Sequence, residues 1–468
     1  MTEGYDVVVI GAGLAGLMAA RTFLAEGVKV LVLEAQERVG GRVLGHTLGD
    51  VTLELGGQWL GPGQEKMYAL CKELGLETYP TYSSGESIVS LGGTTRRLRE
   101  HECVTSALPN DVKLQVHKVI HDLATMAQDI DLEAPWYHPR AVEWDNQTLD
   151  DWLEQNGCHE RTKAYLQLEL RGIFAAEASE VSFLHVLFML KSGGGFSSLI
   201  SVKNGAQQDR IVGGSQFVAE RMAEALGERV MLSTPVRRLE QDDNEVRVMA
   251  DKLTVKAGRV IVTLPPRLSE RLVCEPALPP ARQGLVQEMT MGSVIKVMIV
   301  YDKPFWREEG LSGQVLTDTG PVHTFYDNSP DDGNFGVLLG FMEGVEAHHM
   351  RCLGHSVRER LTLESLEGYF GEKARNYKAY LEKNWLTDPW VQGGYCGYFA
   401  PGSWTNYGSA LHEPFGRIHW AGTETSGVWN GYMEGAVRSG ERAAKEILEL
   451  QNRVVPTVTR ERLGSLFV

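Results

Sequence analysis

The chain has 468 residues, 43% of them hydrophobic, and sets 46 Lys and Arg against 61 Asp and Glu for a formal net charge of −15. That length supports a sizeable core in two domains, or in one large domain with an insertion. The charge excludes a protein built to grip a phosphate backbone, which needs clustered Lys and Arg.

The negative charge would attract a small cation weakly, over a Debye length of roughly 10 Å, and also serves plain solubility. Six cysteines, Cys71, Cys103, Cys158, Cys274, Cys352 and Cys396, are scattered without a C-x-x-C pair or a histidine at metal spacing. Reduced thiols and no metal site are expected. The N-terminal MTEGYDVVVIGAG runs straight into a strand without the charged and apolar regions of a secretory signal. No run approaches the roughly 20 apolar residues of a membrane span. A soluble, cytoplasmic protein with neither membrane nor nucleic-acid partner is expected.

The first block, YDVVVIGAGLAGLMAARTFLAEGVKVLVLEAQERVGGR, reads as strand Asp6–Ile10, a glycine turn, a helix from about Leu14 to Glu26 and strand Lys29–Leu33, a βαβ unit. Gly11, Gly13 and Gly16 form G-x-G-x-x-G: the first for a tight turn, the second for approach of a pyrophosphate, the third for close packing of helix on sheet. Glu34 ends the second strand about 20 residues on, where an acid accepts ribose hydroxyls. The pattern predicts a bound dinucleotide. Arg42 follows in VGGR and can pair with a diphosphate, and Gly56, Gly57 and Gln58 in LELGGQWLGP let backbone approach a planar ligand.

A single lysine, Lys296 in MGSVIK, lies in a strand that is otherwise apolar. It either snorkels to solvent or serves a purpose. GGYCGYFAPGSW sets Tyr395 beside Cys396. In GRIHWAGTETSGVWNGYMEGAVRSGERAAKEIL a strand and loop lead to a helix starting near Met433. There Met433, Val437, Ala444 and Leu448 recur on a core face, and Glu441, Arg442, Lys445 and Glu446 should face water. The N-terminus of that helix would present free N–H groups and partial positive charge, suited to an anionic ligand, although a packing helix would show the same period.

VGGR and LGGQW directly after the glycine motif, the middle runs IVGGSQFVAERMAEAL, STPVRRLEQ and RVIVTLPPRL, and the closing GTET block resemble the flavin-dependent amine oxidase family over roughly residues 5–450. The likeness is closest to the monoamine oxidases. It implies an α/β fold in which a discontinuous Rossmann-type FAD-binding domain (1–80, 208–290 and 385–455) carries an α+β substrate-binding domain (81–207 and 291–384), with 456–468 as a tail. By resemblance Val236 holds the adenine through its backbone, Glu424 and Met433 belong to the FAD-contacting signature, Trp385 packs on the flavin and Lys296 holds a water against flavin N5. Tyr395 and Tyr432 would form facing aromatic walls through which the amine passes; packed tyrosines are the plainer alternative. With YFAPG as anchor, the family's flavin-linking cysteine falls on Gly394, so Cys396 is a bystander and FAD is noncovalent.

The resemblance implies oxidation of an amine by hydride-equivalent transfer to flavin N5, giving aldehyde or ketone, ammonia and hydrogen peroxide from oxygen. By alignment the substrate cavity involves Ile173, Leu199, Ile200, Gln207, Phe335 and Phe341, apolar apart from the glutamine. That favours a hydrophobic primary monoamine, arylalkyl or alicyclic such as cyclohexylamine. A diamine or amino acid would need a buried carboxylate or arginine for its second charge. Arg171, Asp209 and Arg210 lie close in sequence, although surface or supporting positions are the plainer reading. A dehydrogenase passing electrons to a carrier protein, a C–C-oxidising flavoprotein and a non-catalytic flavin-bound module remain as alternatives. The sequence allows a homodimer without fixing it.

Overall fold

The computed structural model describes residues 4–49 and 51–454; the predicted tail at 456–468 lies outside them. Strand Gly4–Ile10 ends in VVVI, buried on both faces as a parallel strand covered by helices must be. It pairs in parallel with Val30–Leu33 on one side and Leu253–Val262 on the other. Helix Leu14–Ala25 makes the crossover. The eight-stranded sheet runs Val230–Met231, Val30–Leu33, Gly4–Ile10, Leu253–Val262, Val246–Ala250, Val236–Gln241, Val273–Glu275, with Ile418–Trp420 added in parallel beside Leu253–Val262. Segments hundreds of residues apart therefore share one sheet.

Two glycines explain how tightly its helical layer packs. A Cβ on Gly16 would sit 2.0 Å from the Gly11 carbonyl oxygen, and one on Gly440 would sit 2.1 Å from that of Ala15. The second contact lets the long helix Met433–Val454 lie directly on helix Leu14–Ala25.

A second sheet of seven strands follows the order Ala379–Asn384, Val294–Tyr301, Gly336–Glu343, Thr324–Asp327, Leu311–Thr317, Glu86–Leu91, Thr94–Leu98. Its alternation sorts the central strands between two apolar clusters. Ile295, Val297 and Ile299 pack with Trp306, Phe325 and Leu366, whereas Val294, Met298 and Val300 pack with Leu339, Phe341 and Trp385. Lys296 therefore falls on the second face, opposite Phe341 in the ladder. A third core is helical, built by Asn110–Ala127, Glu160–Phe174 and Phe183–Ser192 among others. Among the described residues no helix is long and apolar enough to cross a membrane.

The water-facing stripe expected on helix Met433–Val454 needs correction. Only Lys445 of the four residues is exposed. Arg442 bends inward to donate to the Trp420 carbonyl and the Thr425 hydroxyl, and Glu446 receives Arg442 and the buried His419. These polar residues tie the helix to the loop in front of it.

Candidate active site

One cavity is lined by residues at the C-terminal ends of the parallel strands, by inward residues of the seven-stranded sheet and by a group of aromatic side chains. Its first stretch is lined by Ile10, Gly11, Gly13, Glu34, Gly40, Arg42, Val236 and Thr263. Ligands bind where strand ends leave such a crevice in open α/β sheets. Gly11 has φ +104°, and a Cβ there would meet the Thr263 hydroxyl at 2.6 Å, so the turn itself demands glycine. Gly13 is different: an added Cβ finds nothing nearer than 4.0 Å, and at Gly57 nothing nearer than 3.9 Å. Side chains there would fill the cavity. The fit to a dinucleotide is thus a bare backbone cradle with an acid at its end.

That acid, Glu34, is buried. It accepts the backbone N–H groups of Ala12 at 2.7 Å and Gln36 at 2.8 Å. Burial raises its pKa, partly offset by those bonds and by Arg38. Arg42 lines the cavity, but its guanidinium is committed to Glu424 through Nη1 to Oε1 at 2.5 Å and Nη2 to Oε2 at 2.9 Å, with a further donation from Nη1 to the Tyr395 carbonyl at 3.1 Å. Burial would push the Glu424 carboxyl up, yet the charge and hydrogen bonds of Arg42 and the Gly397 N–H leave it lowered. Glu424 is not among the lining residues. It holds Arg42 and the Gly397 backbone from behind.

Further along, Trp385 lines the wall and is fixed by donation from Nε1 to the Leu55 carbonyl at 2.9 Å. Met433, at the start of its helix, also lines the cavity, 4.0 Å from the Cβ position of Gly57. Lys296 is 3% exposed and donates to the Gly56 carbonyl at 2.7 Å and to Gln58 Oε1 at 2.5 Å. It does not snorkel. Burial lowers its ammonium to about 7, Glu54 opposing and Arg210 adding.

The aromatic end brings together Trp59, Tyr326, Phe341, Tyr395 and Tyr432 with Ile173, Met189 and Gln207. Phe341 meets Tyr395 edge-on at 5.6 Å, and Trp429 sets Tyr432 edge-on at 4.9 Å. The phenols of Tyr395 and Tyr432 are both raised above their ordinary range, mainly by burial, so neither ionises at neutral pH. Three buried polar atoms of this lining have no hydrogen-bond partner: Trp59 Nε1, Gln207 Oε1 and Glu343 Oε2.

Leu199, Ile200 and Phe335, expected in the cavity, are not among its lining residues. Leu199 is spent in the helical core against Gly193, and its carbonyl accepts from Gln207 Nε2 at 2.9 Å, so it positions a residue that does line the site. Ile200 packs on the same core and Phe335 on the cluster of Phe341 and Trp385. Arg210 is buried rather than at the surface, bound to Glu54 and to the Asn328 and Ser329 carbonyls. Arg171 pairs with Glu177, and Asp209 receives Tyr68.

Glutamine is also not the sole polar group of the substrate end. Glu343 lines it, two residues beyond Phe341 on the same strand face. Sequence reasoning passed over Glu343, Tyr326 and Trp59, although the period of two that marks Phe341 as inward marks Glu343 as well. Cys396 reaches the wall as a buried free thiol, pushed up to about 12 by burial and by Glu424.

The family model of flavin containing amine oxidoreductases matches residues 14–448. A probable flavin-containing monoamine oxidase A from Dictyostelium discoideum is 36% identical over 96% of this chain and 98% of its own. Putrescine oxidase from Kocuria rosea is 37% identical over 95% of both chains. The solved structure of cyclohexylamine oxidase from Brevibacterium oxydans superposes with a TM-score of 0.92 at 31% identity, covering 96% of this chain and 100% of that one. A glycine cradle ending in Glu34, a buried lysine and a tyrosine-walled chamber thus occur in a chain that belongs to the flavin-containing amine oxidases and takes FAD as its cofactor.

Proposed function

We propose that this protein oxidises a hydrophobic primary monoamine, arylalkyl or alicyclic such as cyclohexylamine, to aldehyde or ketone and ammonia, with oxygen reduced to hydrogen peroxide. The observation that carries this reading is the aromatic and aliphatic lining of the chamber between Lys296 and Tyr432. An alkylammonium resembles lysine, with an ordinary pKa of about 10.4, and must lose a proton to expose its nitrogen lone pair. Apolar walls disfavour the cation, and the faces of Tyr395 and Tyr432 attract and orient the nitrogen as it arrives. FAD, when bound, supplies the two-electron oxidation of the Cα–N bond and the reaction with oxygen.

This chain's own groups would hold that cofactor in order along the cavity. Glu34 would accept ribose hydroxyls, Val236 the adenine, Gly11, Gly13 and Arg42 the pyrophosphate region, and Gly57, Gln58, Trp385 and Met433 the ring system. Lys296, held by Gly56 and Gln58, would place its amine where a water is needed. Segments 1–80, 208–290 and 385–455 would then form the cofactor domain, and 81–207 with 291–384 the substrate domain. A thiol as weakly acidic as Cys396 is a poor nucleophile, which supports noncovalent FAD.

One observation favours a second reading, a diamine or polyamine: the carboxyl of Glu343 in the chamber wall. Turnover of cyclohexylamine, benzylamine, putrescine and one L-amino acid, with peroxide and ammonia both measured, tests the assignment. Fastest turnover of the two monoamines is expected. Preference for putrescine selects the second reading, and flavin reduction without peroxide in air selects a dehydrogenase.

A further inference from the structure

Three other buried carboxylates are met by donors on both oxygens. Glu54 takes Arg210 and the Ser215 N–H, Glu424 takes Arg42, and Glu434 takes Arg438 and the Met67 N–H. Glu343 is 1% exposed and is treated differently. Its Oε1 accepts the Tyr395 hydroxyl at 2.6 Å, whereas Oε2 lines the chamber with no partner. Among the described residues no cation pairs with it. Arg171 is spent on Glu177 through three hydrogen bonds, and Lys296 on Gly56 and Gln58. A buried polar atom left unpaired costs about 1–3 kcal/mol. Retaining one beside an aromatic wall makes sense where a ligand supplies the missing donor.

We propose that Glu343 is an ammonium-docking subsite of the amine chamber, receiving a charged N–H group between its free oxygen and the ring of Tyr395. The proposal deepens the amine-oxidase reading above and rests on it. An ammonium there satisfies Oε2, pairs with the carboxylate and meets an aromatic face. Two ligands share this chemistry: the reacting amine of a monoamine before it loses its proton, and the far ammonium of an α,ω-diamine.

The charged groups around Glu343 set its pH dependence. Burial pushes its carboxyl up to about 7, the Tyr395 bond and Arg171 opposing and Glu177 adding, while Tyr326 feels its charge. Lys296, in the same chamber wall, loses its own charge near the same pH, and Glu169, pushed up to about 7 by burial, acts on the same Tyr326. All three titrations make this end of the site more negative as pH rises through about 7, so ammonium docking should strengthen there and then level off.

The test compares FAD-loaded wild type with Glu343→Gln, which keeps the shape and can still meet the Tyr395 hydroxyl. Binding is read from perturbation of the flavin band, or from the saturation of bleaching where the ligand reduces it. Ligands are cyclohexylamine, putrescine and the neutral cyclohexanol. The expected result is a loss of about 30-fold or more for an ammonium ligand with cyclohexanol unchanged within about twofold. Loss for cyclohexylamine identifies the reacting amine as occupant, and loss for putrescine alone identifies the far ammonium. Equal binding of both amines by the two proteins overturns the proposal, as does an equal loss for cyclohexanol. If the variant fails to load FAD, wild type decides through pH. Amine affinity that levels off above pH 8 supports docking at Glu343, and affinity still rising tenfold per unit toward the amine's own pKa overturns it. Because the readout is binding, absence of turnover would count against the proposed reaction and leave this test intact.

Discussion

Replacing Lys296 with methionine should change how stability depends on pH more than it changes stability at neutrality. The ammonium is buried and titrates at about 7 instead of 10.5. Between those values the unfolded chain holds a proton that the folded chain has released, so stability from this group is lowest below about pH 7 and recovers as pH rises to about 10.5. The difference of 10.5 and 7 corresponds to roughly 4–5 kcal/mol. Methionine removes that penalty but leaves the Gly56 carbonyl and Gln58 Oε1 without their donor, at about 1–3 kcal/mol each. At pH 7 the two effects nearly offset. By pH 10 most of the penalty has gone, and wild type should exceed K296M by about 3–4 kcal/mol. Urea unfolding of both proteins at fixed FAD, from pH 7 to 10, measures the difference, in which other titrating groups cancel. A difference that stays constant across that range would refute a buried, shifted lysine.

Three further substitutions probe the cavity. Gly13→Val projects into space bounded only by Gly40, so it should give a folded protein that fails to load FAD, seen as a normal melt without the flavin band. Arg42→Ala strands the Glu424 carboxylate in the interior and should destabilise by about 3–5 kcal/mol, read by denaturant unfolding. Cys396→Ala should leave flavin content unchanged, and acid precipitation should release FAD from wild type and variant alike.

Much of the cofactor end was legible because it is written in local sequence. Gly11, Gly13, Gly16 and Glu34 lie within one βαβ unit whose alternation and helix period fix their geometry, and the strand and helix ends fall within one or two residues of those expected. The substrate end is assembled from helix, strand and loop residues scattered between Trp59 and Tyr432. Leu199 is expected in the lining by alignment alone, yet its side chain belongs to the helical core. Glu343 was legible in principle, since it continues the inward face of Phe341, but the apolar run GVLLGFM drew attention away from the acid that ends it. Arg442 and Glu446 show the same limit: helical period puts them on the polar face, and only the strand and loop from His419 to Thr425 half-bury that face.

The most direct test is anaerobic addition of cyclohexylamine to the FAD-loaded protein while the oxidised flavin band is followed. The account predicts that the band bleaches and returns when air is admitted, with peroxide formed. A band that withstands cyclohexylamine, benzylamine and putrescine, yet is lost with dithionite, would contradict amine oxidation in this chamber.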